Sequence, residues 1–335
     1  MVVTLKDVAE KAGVSTSTVS RVLSGKGRVG KKCQAHVKKI VEEMGYRPNT
    51  NARALACNRT EMIGLITPNI AGAFHGPICV GVEEAASKIR YKILIANSFD
   101  EYERVQEAIY SFSEQGCDNI IIHTNFVEDD ELIQLAERIP GLVIINRFIP
   151  EIAERCVWLD NVSGGRLAAK YLIDSGHKDI AVISHSRKIA DPKDRLTGVL
   201  EACEKAGISI PEQNILFDPI GTIDEGRLLA RQLVESDAKF TAIIAYNDLM
   251  AVGAINELQD MGIRVPEDVS VIGFDDLYFC QTSRPTLTTI HYPISEMAKY
   301  AAELSVALTT KGKDATPKTH LFMPSLVERK SVKTL

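Results

Sequence analysis

The sequence has no uninterrupted apolar stretch close to the roughly 20 residues that a membrane-spanning helix requires. Its amino-terminal segment carries Lys6 and Asp7 where a secretory signal would be apolar, so we expect no signal peptide. The first absence excludes a membrane-spanning protein, and the second argues against a secreted one. We therefore expect a cytoplasmic protein.

A disulfide or zinc framework is also absent. The seven cysteines are odd in number and widely spaced, and none belongs to a Cys-x-x-Cys pair. They are Cys33, Cys57, Cys79, Cys117, Cys156, Cys203 and Cys280. We expect them to be reduced, buried thiols, as in proteins of reducing compartments.

Motifs of the common enzyme classes are missing as well. The sequence has no P-loop, no Gly-x-Ser-x-Gly elbow and no His-Glu-x-x-His. Its seven histidines are scattered without ligand spacing, and we interpret His123 and His177 as packing or surface residues. We therefore predict no catalytic residue, no metal and no cofactor, and an enzyme on a doubly wound fold stays open only as a third alternative.

What the sequence does contain is an uneven distribution of charge. Residues 1–58 hold eleven Lys and Arg but only four Asp and Glu, a net charge of +7. Because the whole chain carries −5, the remaining residues carry −12. A basic head on an acidic body indicates that only the head contacts a polyanion, the alternative being an ordinary solvated basic face.

The first 48 residues predict three short helices. Thr4 can cap the first, with Asp7 at its third position, and Gly13 ends it. Ser15 can cap the second helix, and Gly45 ends the third. Apolar residues recur at helical spacing in all three, namely Leu5, Val8, Ala9 and Ala12, then Val19, Val22 and Leu23, then Val37, Ile40, Val41 and Met44. Two short helices joined by a glycine-containing turn are typical of the helix-turn-helix motif.

The second of these helices begins with short polar side chains. They are Thr16, Ser17, Thr18, Ser20 and Arg21. Small hydroxyl groups allow a helix to approach base edges in the major groove, and Arg21 can reach a guanine or a phosphate. The alternative is a capped helix that faces solvent.

After residue 60, short apolar runs alternate with helical stretches. The runs are Met62–Ile66, Ile93–Ala96, Ile120–His123, Val143–Asn146, Val157–Leu159, Ile180–Ser184, Ala242–Ala245 and Val269–Phe274. Such β-α alternation predicts parallel sheets with helices on both faces, divided between two doubly wound lobes. Ligands of such folds bind at the carboxyl ends of strands, here in the cleft between the lobes.

Polar side chains follow several of these runs. They are Asn146, Arg147, Asp160, Asn161, Asn247, Asp248, Asp275 and Asp276. We also expect Arg195 to open the helix that follows Ile180–Ser184. Carboxylate, amide and guanidinium groups that converge on one cleft suit the hydroxyl groups of a sugar, and Phe74 and His75 could stack on its ring. Taken singly, an Asp after a strand is more often a helix cap.

Two segments carry a family resemblance. LKDVAEKAGVSTSTVSRVLSG (5–25) and GYRPNTNARALA (45–56) closely resemble the lactose-repressor/galactose-repressor family of bacterial transcription regulators, over essentially the whole chain. The resemblance implies an all-α helix-turn-helix domain, a hinge and a two-lobed, periplasmic-binding-protein-like α/β core. The predicted limits are 1–48 for the first domain, 49–58 for the hinge and 59–335 for the core, with an N-lobe of about 59–160 and 291–321 and a C-lobe of about 161–290 and 322–335.

The resemblance also implies which residues contact DNA, with Thr16 and Ser17 at the variable base-reading positions. The implied set is Thr4, Ser15, Thr16, Ser17, Thr18, Ser20, Arg21, Asn49, Ala52 and Leu55. The chain departs from the family at Ser24, where asparagine is common, and at Gly30–Gln34, which lacks the usual Ser-rich start and Thr-Arg pair. Two lysines within this last segment could replace the missing phosphate contacts electrostatically.

The hinge run Asn51–Ala56 favours a helix but is much shorter than the ~12–15 residues that an isolated helix needs. We expect it to be disordered alone and ordered against a partner. The resemblance implies that paired hinge helices of two subunits enter the minor groove and that Leu55 is wedged between base pairs, which kinks the DNA. The alternative is an ordinary linker.

In relatives, the positions of Arg195, Asn247 and Asp275 contact the effector. Three motifs preserve them, namely DRLTG (194–198), YND (246–248) and GFDD (273–276). Phe74 matches an aromatic effector position, although its surrounding motif departs from the Asp-Pro-Phe-Phe pattern of relatives. The predicted effector-binding set is Phe74, His75, Asn146, Arg195, Asn247 and Asp275.

Further motifs resemble the galactose repressor and isorepressor branch. They are INRFIP (145–150), ERC (154–156), RPTLTTI (284–290), YPI (292–294) and SLVERKS (325–331). This resemblance implies D-galactose or a related hexose as the inducer. We interpret Asp248 and Asp276 as structural caps and lobe connectors, and Cys156 as an inert buried thiol.

We therefore predict a transcription repressor whose operator affinity a sugar lowers. Two-fold symmetry predicts a homodimer on a pseudo-palindromic, double-stranded operator, associated with the nucleoid when bound. The sequence ends at Leu335 without the heptad-bearing tail of the lactose repressor, which favours a dimer over a tetramer. Two alternatives stay open, a sugar-binding protein of transport or chemotaxis type and a regulator with an effector other than galactose.

Overall fold

The computed structural model describes residues 3–24, 29–46, 60–186, 189–311 and 319–335, and the chain divides into two compact units, Met1–Glu61 and Met62–Leu335. The first unit contains three helices, α1 (Leu5–Ala12), α2 (Thr16–Ser24) and α3 (Lys31–Glu43). The capping box predicted at Thr4 is confirmed, because Thr4 and Asp7 each accept a hydrogen bond from the other's backbone N–H. Ser15 accepts the Thr18 N–H at 3.1 Å, as expected of a cap.

The core of this unit is small and entirely apolar. Its buried residues are Val8, Ala9, Ala12, Val19, Val22, Val37 and Ile40. Val41 and Met44, which the helical spacing also places on the inner side, are only partly buried. Gly13 ends α1 with a φ of 64°, a left-handed conformation that glycine adopts at little cost.

The second unit is built on two six-stranded sheets. The first has the order β11-β5-β4-β3-β1-β2 and is entirely parallel. Its strands are β1 (Met62–Thr67), β2 (Lys92–Asn97), β3 (Asn119–Ile122), β4 (Gly141–Ile145), β5 (Cys156–Leu159) and β11 (His320–Phe322). The sheet defines the N-lobe.

The second sheet, which defines the C-lobe, has the order β12-β10-β9-β8-β6-β7 and is parallel except for the antiparallel pair β10/β12. Its strands are β6 (Ile180–His185), β7 (Ile215–Asp218), β8 (Ala242–Ala245), β9 (Ser270–Asp275), β10 (Thr288–His291) and β12 (Ser325–Val327). The predicted doubly wound α/β class is confirmed.

Helices cover both faces of each sheet. They are α4 (Gly76–Lys88), α5 (Tyr102–Glu114), α6 (Asp129–Arg138), α7 (Asn161–Asp174), α8 (Ala190–Lys205), α9 (Ile223–Glu235), α10 (Asp248–Asp260) and α11 (Ile294–Lys311). One face of the N-lobe sheet packs on α5 and α6, and one face of the C-lobe sheet packs on α9 and α10. The remaining helices lie against the opposite faces and share one apolar core that extends through both lobes.

The chain passes between the lobes three times. The crossings lie between β5 and α7, between β10 and α11, and between β11 and β12. Because each lobe combines segments that are distant in sequence, neither lobe is a continuous stretch of the chain. None of the described helices combines the length and apolar character that crossing a lipid bilayer demands.

Four of the twelve strands described, β7, β10, β11 and β12, are absent from the sequence prediction. The sequence does not predict β10 because Thr288 and Thr289 make this segment polar, although both side chains are fully buried. The Thr289 hydroxyl donates to the Asp248 carboxylate at 2.6 Å, and the Thr288 hydroxyl accepts the Arg329 N–H at 2.9 Å. Hydrogen bonds therefore compensate the burial of polar groups that periodicity alone would place outside a core.

Candidate functional site

In the first unit, α2 presents its polar side chains to solvent. Ser15, Thr16, Ser17, Ser20 and Arg21 are exposed and Thr18 is partly exposed. The Ser15 hydroxyl lies 2.8 Å from the hydroxyl oxygens of both Ser17 and Thr18. The opposite side of α2 is fixed by the buried Val19 and Val22. The geometry therefore presents a rigid row of short hydroxyl groups, which a DNA major groove can accommodate.

Thr4 has a positioning role at the start of α1. Its hydroxyl donates to the Asp7 carboxylate at 2.7 Å and its backbone N–H donates at 2.8 Å. These two hydrogen bonds hold the pKa of Asp7 below its ordinary value. Three further predicted DNA contacts, Asn49, Ala52 and Leu55, lie outside the described residues.

In the second unit, a cleft of about 260 Å³ lies at the carboxyl ends of strands from both sheets. All six predicted effector residues line it, namely Phe74, His75, Asn146, Arg195, Asn247 and Asp275. Residues that sequence reasoning did not assign to the effector also line it, among them His123, His185, Asp191 and Tyr246.

Arg195 lies in the wall of this cleft, but not where the sequence suggested. It is the sixth residue of α8 rather than its first, so the expected position at the helix start is wrong. The close approach of α8 to α7 requires Gly165, because a Cβ there would overlap the Arg195 carbonyl oxygen. This packing buries the Arg195 side chain.

The Arg195 guanidinium is held by hydrogen bonds and by aromatic rings. Its Nε donates to the Asn161 side chain at 2.8 Å and its Nη1 donates to the Tyr246 carbonyl at 2.7 Å. The guanidinium carbon lies 3.6 Å from the centroid of the Phe274 ring and 4.6 Å from that of Tyr246. A charged group fixed in this way is pre-organised and loses little further conformational entropy when a ligand binds.

Asp275 ends β9 beside this guanidinium. Its Oδ1 lies 3.5 Å from the Arg195 Nη1, and the side chain is buried. Within the part of the chain that the structure describes, Oδ1 accepts no hydrogen bond. Burial raises the pKa of Asp275 well above its ordinary value, against the opposing effect of Arg195. A φ of 111° is strained for a non-glycine residue, and such strain is concentrated at functional sites.

Asn247 has two functions, one of them structural. Its Oδ1 accepts the Met250 N–H at 2.8 Å and thereby caps α10, and its Nδ2 donates to the Gly221 carbonyl at 2.9 Å. One amide hydrogen stays available for a ligand. The interpretation of Asp248 as a cap is therefore wrong, because Asn247 is the cap. Asp248, the first residue of α10, instead accepts the Leu277 N–H at 2.7 Å and so joins α10 to the loop that follows β9.

Asn146 occupies the N-lobe side of the cleft with a φ of 65°. Its Oδ1 accepts the Tyr292 hydroxyl, and its Nδ2 donates to the Asp191 carboxylate at 3.0 Å and lies 3.3 Å from the His123 Nε2. The Asn161 amide donates to the same Asp191 carboxylate at 3.1 Å. Asn146 on the N-lobe is thus joined to Asp191 on the C-lobe, and little of its hydrogen-bonding capacity is left for a ligand.

The Phe74 ring, which lines the cleft, lies against three other aromatic side chains, His75, His123 and Tyr292. The Phe74 ring packs edge-on against His75 and Tyr292, with centroids 5.5 Å and 5.2 Å away. The His75 and His123 rings lie 5.1 Å apart. Burial lowers the pKa of His75 to about 4 and that of His123 to about 3, so both rings are neutral at pH 7. The interpretation of His123 as a mere packing or surface residue is wrong, because its side chain lines the cleft.

Asp191 is the residue that sequence reasoning missed most clearly. It lies four positions before Arg195, so the two share one face of α8, and this spacing is the signal that could have found it. Burial raises the pKa of Asp191, partly offset by Arg195. Among the described residues no group of three His, Cys, Asp or Glu side chains could hold a metal ion.

Comparison with known proteins relates this geometry to two protein families. Residues 4–49 match the lacI family of bacterial regulatory proteins, and residues 169–332 match a periplasmic binding protein-like domain. The transcriptional regulator GalS of Salmonella typhimurium is 41% identical over 332 residues, which cover 98% of this chain and 96% of that protein. The chain belongs to the lacI family.

Other members of the lacI family support the same assignment. The regulator GalR of Escherichia coli K12 is 38% identical over 333 residues, which cover 99% of this chain and 96% of that protein. Since its relatives over nearly the full length are transcription regulators, this lacI-family member is a DNA-binding transcription regulator and not an enzyme, as the sequence predicted.

Solved structures of lacI-family regulators show the same fold. The lac repressor dimer bound to operator and the anti-inducer ONPF superposes with a TM-score of 0.88 at 25% identity, over 99% of this chain and 100% of that chain. A complex of the regulator CelR with cellobiose has a TM-score of 0.72 at 30% identity, over 98% and 99% of the two chains. The predicted helix-turn-helix domain and two-lobed core are therefore confirmed.

Proposed function

We propose that this lacI-family regulator is a homodimeric repressor whose affinity for operator DNA falls when D-galactose or a related hexose binds in the cleft. The observation that carries the proposal is the buried Asp275 carboxylate, whose Oδ1 lies 3.5 Å from the fixed Arg195 guanidinium but accepts no hydrogen bond from the described residues. A buried carboxylate oxygen without a hydrogen bond is costly unless a ligand donates to it. A sugar hydroxyl group supplies that donor.

The other groups of the cleft also suit a neutral polyhydroxylated ligand. Neutral imidazoles at His75 and His123 can donate to or accept from hydroxyl groups without introducing charge. The spare amide hydrogen of Asn247 adds a donor, and the Phe74 ring offers an apolar face to the C–H groups of a pyranose. The choice of galactose among hexoses rests on the resemblance of several motifs to the galactose-repressor branch.

Coupling between sugar and DNA follows from the position of the cleft between two lobes. The hydrogen bond between Asn146 and Asp191 joins the lobes and lies in the wall of the cleft. A ligand that contacts both His123 and Asp275 therefore lies beside this hydrogen bond and changes its geometry. We infer that the resulting rotation of the lobes changes the spacing of the two DNA-binding units of a dimer. Coupling free energies of this kind are typically about 1–3 kcal/mol.

In this proposal the exposed side chains of α2 contact the major groove of each half-site, with Thr16 and Ser17 at the base edges, and Leu55 is inserted in the minor groove. Two observations support a dimer. The lac repressor of similar fold is a dimer on its operator. The edge strand β2 and the adjoining loop carry exposed apolar side chains, with Ile95 37% and Phe99 58% exposed, and such an edge is usually covered by a partner.

Isothermal titration calorimetry with the full-length protein tests the effector. We expect D-galactose to bind and the variant Asp275→Ala to lose about 10- to 150-fold in affinity, because a hydrogen bond to a charged group contributes roughly 1.5–3 kcal/mol. The control is Asp174→Asn, which removes the charge of an exposed carboxylate that pairs with Lys170. Cellobiose and a free nucleobase complete the panel, and binding of either in place of hexoses would reject the proposed effector while leaving the regulator intact.

A further inference from the structure

Asp248 is a buried carboxylate that adjoins the effector cleft in the chain. It is the first residue of α10, and it follows Asn247, which lines the cleft and caps the same helix. The Asp248 side chain is fully buried. Burial of an ionised group is costly unless several hydrogen bonds compensate it. A carboxylate at this position therefore carries a cost that its neighbours must offset.

Three donors from other parts of the C-lobe converge on this carboxylate. The Thr289 hydroxyl of β10 donates to Oδ1 at 2.6 Å, and the Leu277 N–H after β9 donates to Oδ2 at 2.7 Å. The Cys280 side chain is hydrogen-bonded to the same carboxylate. Asp248 thus joins the start of α10 both to β10 and to the segment that follows β9.

The carboxylate fits in this place because β9 contains a glycine beside it. A Cβ atom at Gly273 would overlap the Asp248 Oδ1. Gly273 pairs in register with Thr289, and it precedes Asp275 by two residues. Asp248 therefore packs against the end of β9, which leads directly into the cleft wall.

The segment that Asp248 holds contains the strained part of the cleft wall. Asp275 and Asp276 both have positive φ, 111° and 60°. Such strain persists only where the surrounding structure determines the backbone. Before the strained pair, β9 is hydrogen-bonded to β10, and after it the Leu277 N–H is held by Asp248. Leu277 also lines the cleft, so loss of this hydrogen bond would let the cleft wall shift.

The charge of Asp248 acts on Asp275 as well. Burial raises the pKa of Asp275, and the Arg195 guanidinium opposes this rise. The negative charges of Asp248 and Asp191 raise the pKa of Asp275 further. Burial also raises the pKa of Asp248 to about 6, against the effect of its three hydrogen bonds, so Asp248 is largely ionised at pH 7. Because a more basic carboxylate is a stronger acceptor, this charge favours the hydrogen bond that a sugar hydroxyl group donates to Asp275.

We infer that Asp248 is a positioning residue for sugar recognition, which holds the strained backbone at Asp275 in its binding geometry and acts through its charge on the Asp275 carboxylate. This inference rests on the proposed function, since it assigns a further residue to the same site. An asparagine could accept the Leu277 N–H without a second negative charge near Asp275. Anchoring of the loop alone therefore does not explain a carboxylate at this position.

Calorimetric titration of the full-length protein with D-galactose tests the inference. Asp248→Asn keeps the shape of the side chain and one acceptor oxygen, and we expect its affinity for galactose to fall by about fivefold or more. Thr289→Val removes the hydroxyl donor and should weaken binding by about threefold or more. Thr289→Ser restores the hydroxyl group and should bind within about twofold of the wild type.

Two further measurements separate positioning from a folding defect. The number of galactose sites per chain should equal that of the wild type, and operator affinity without sugar should change by less than about twofold. The matched control is Asp260→Asn at the other end of α10, where an exposed carboxylate pairs with Arg227. A reduced number of sites with an unchanged dissociation constant in Asp248→Asn overturns the inference in favour of a purely structural role.

A measurement without ligand tests the same inference independently of the identity of the effector. Carboxyl ¹³C NMR of protein labelled at aspartate gives the pKa of Asp275, and Asp275→Asn identifies its resonance. Because Asp248→Asn removes a nearby negative charge, we expect the pKa of Asp275 to fall by about 1 in this variant. Asp260→Asn should leave the pKa of Asp275 unchanged.

The failure of this inference is distinguishable from the failure of the proposed function. Wild-type protein that binds no hexose contradicts the proposed effector, while a lowered pKa of Asp275 in Asp248→Asn still supports the action of Asp248 on this residue. Galactose binding that is unchanged in both Asp248→Asn and Thr289→Val overturns the inference and retains the effector. An unchanged pKa of Asp275 in Asp248→Asn also overturns it.

Discussion

Of the described side chains, those proposed to contact DNA in the amino-terminal unit are mostly short and exposed, whereas those proposed to contact sugar in the second unit are buried or partly buried. Ser17 and Ser20 are open to solvent, while Arg195 is 6% exposed and Asp275 is 7% exposed. The difference follows from the two ligands. DNA is a large polyanion whose phosphates supply much of the affinity.

A sugar, in contrast, offers few atoms and no charge. Its binding site must therefore exclude water and hold its polar groups in place before the ligand arrives. The network from Asn146 through Asp191 and Asn161 to Arg195 does this. The proposed contacts thus lie on a surface in one unit and in an interior in the other, and substitutions in the two should have different consequences.

The largest difference is expected between the effects of Arg195→Lys and Arg21→Lys on the free energy of unfolding. Arg195→Lys removes the donors to Asn161 and Tyr246 from a buried site, and we expect the free energy of unfolding of the core to fall by about 3 kcal/mol. Arg21→Lys changes an exposed side chain, and we expect less than about 0.5 kcal/mol. Urea unfolding measures both, and similar losses would contradict the distinction between interior and surface.

The next largest effect is expected on operator binding. If Leu55 is wedged between base pairs, Leu55→Ala should weaken operator binding by roughly 100-fold, or about 2–3 kcal/mol, because the kinked DNA loses its apolar contact. Binding to a random duplex at the same salt concentration should change little, and Leu55→Met serves as the conservative control. Equal losses on both duplexes, measured by fluorescence anisotropy, would remove the wedge from the mechanism.

Acidification should affect the core through His75. Its pKa is lowered to about 4 from an ordinary value of 6.5, so between these pH values the unfolded chain binds a proton that the folded chain does not. Stability is therefore lost as the pH falls below 6.5, by at most about 1.4 kcal/mol at one pH unit below it. His75→Gln should remove this part of the pH dependence.

The exposed His36 of the first unit provides the control for this experiment. His36→Gln should leave the pH dependence of core unfolding unchanged, as measured by urea denaturation at several pH values. An identical pH dependence in wild type and His75→Gln would show that burial of His75 does not disfavour its protonation.

The smallest effect is expected at the start of α1. Thr4→Ala removes the cap and should lower the stability of the amino-terminal unit by about 1 kcal/mol, while Thr4→Ser retains the hydroxyl group and should be nearly neutral. Calorimetry should show a change only in the transition of this unit. A shift of the core transition would indicate that the two units do not unfold separately.

Much of the fold could be predicted from the sequence because it depends on local patterns. The capping box at Thr4, the helical spacing of Val8 and Val19, and the apolar run Ala242–Ala245 each lie within a few neighbouring residues. β10 was missed because its buried threonines are satisfied by Asp248 and Arg329, which are 41 residues away in sequence in each case. No periodicity within β10 carries that information.

The contacts in the cleft were also predictable only where they depend on neighbouring residues. The strand-end position of Asp275 and the motif around Arg195 were sufficient to bring these residues into one site. The connection of Asn146 to Asp191 was not predictable, since it joins residues 45 positions apart on different lobes. The position of Asn146 at the end of a strand made it a predicted effector contact, but its amide is already occupied by Tyr292 and Asp191, so we expect it to position the lobes rather than recognise the sugar.

The coupling between sugar binding in the cleft and operator binding is tested most directly by titrating sugar into a complex of the protein with a labelled duplex that contains its operator. Operator affinity should fall by roughly 5- to 150-fold at saturating D-galactose, the range expected of a coupling free energy of 1–3 kcal/mol. The Asp275→Ala complex should not respond at any sugar concentration that releases the wild type. Operator affinity that stays constant across all hexoses would contradict a sugar-responsive repressor.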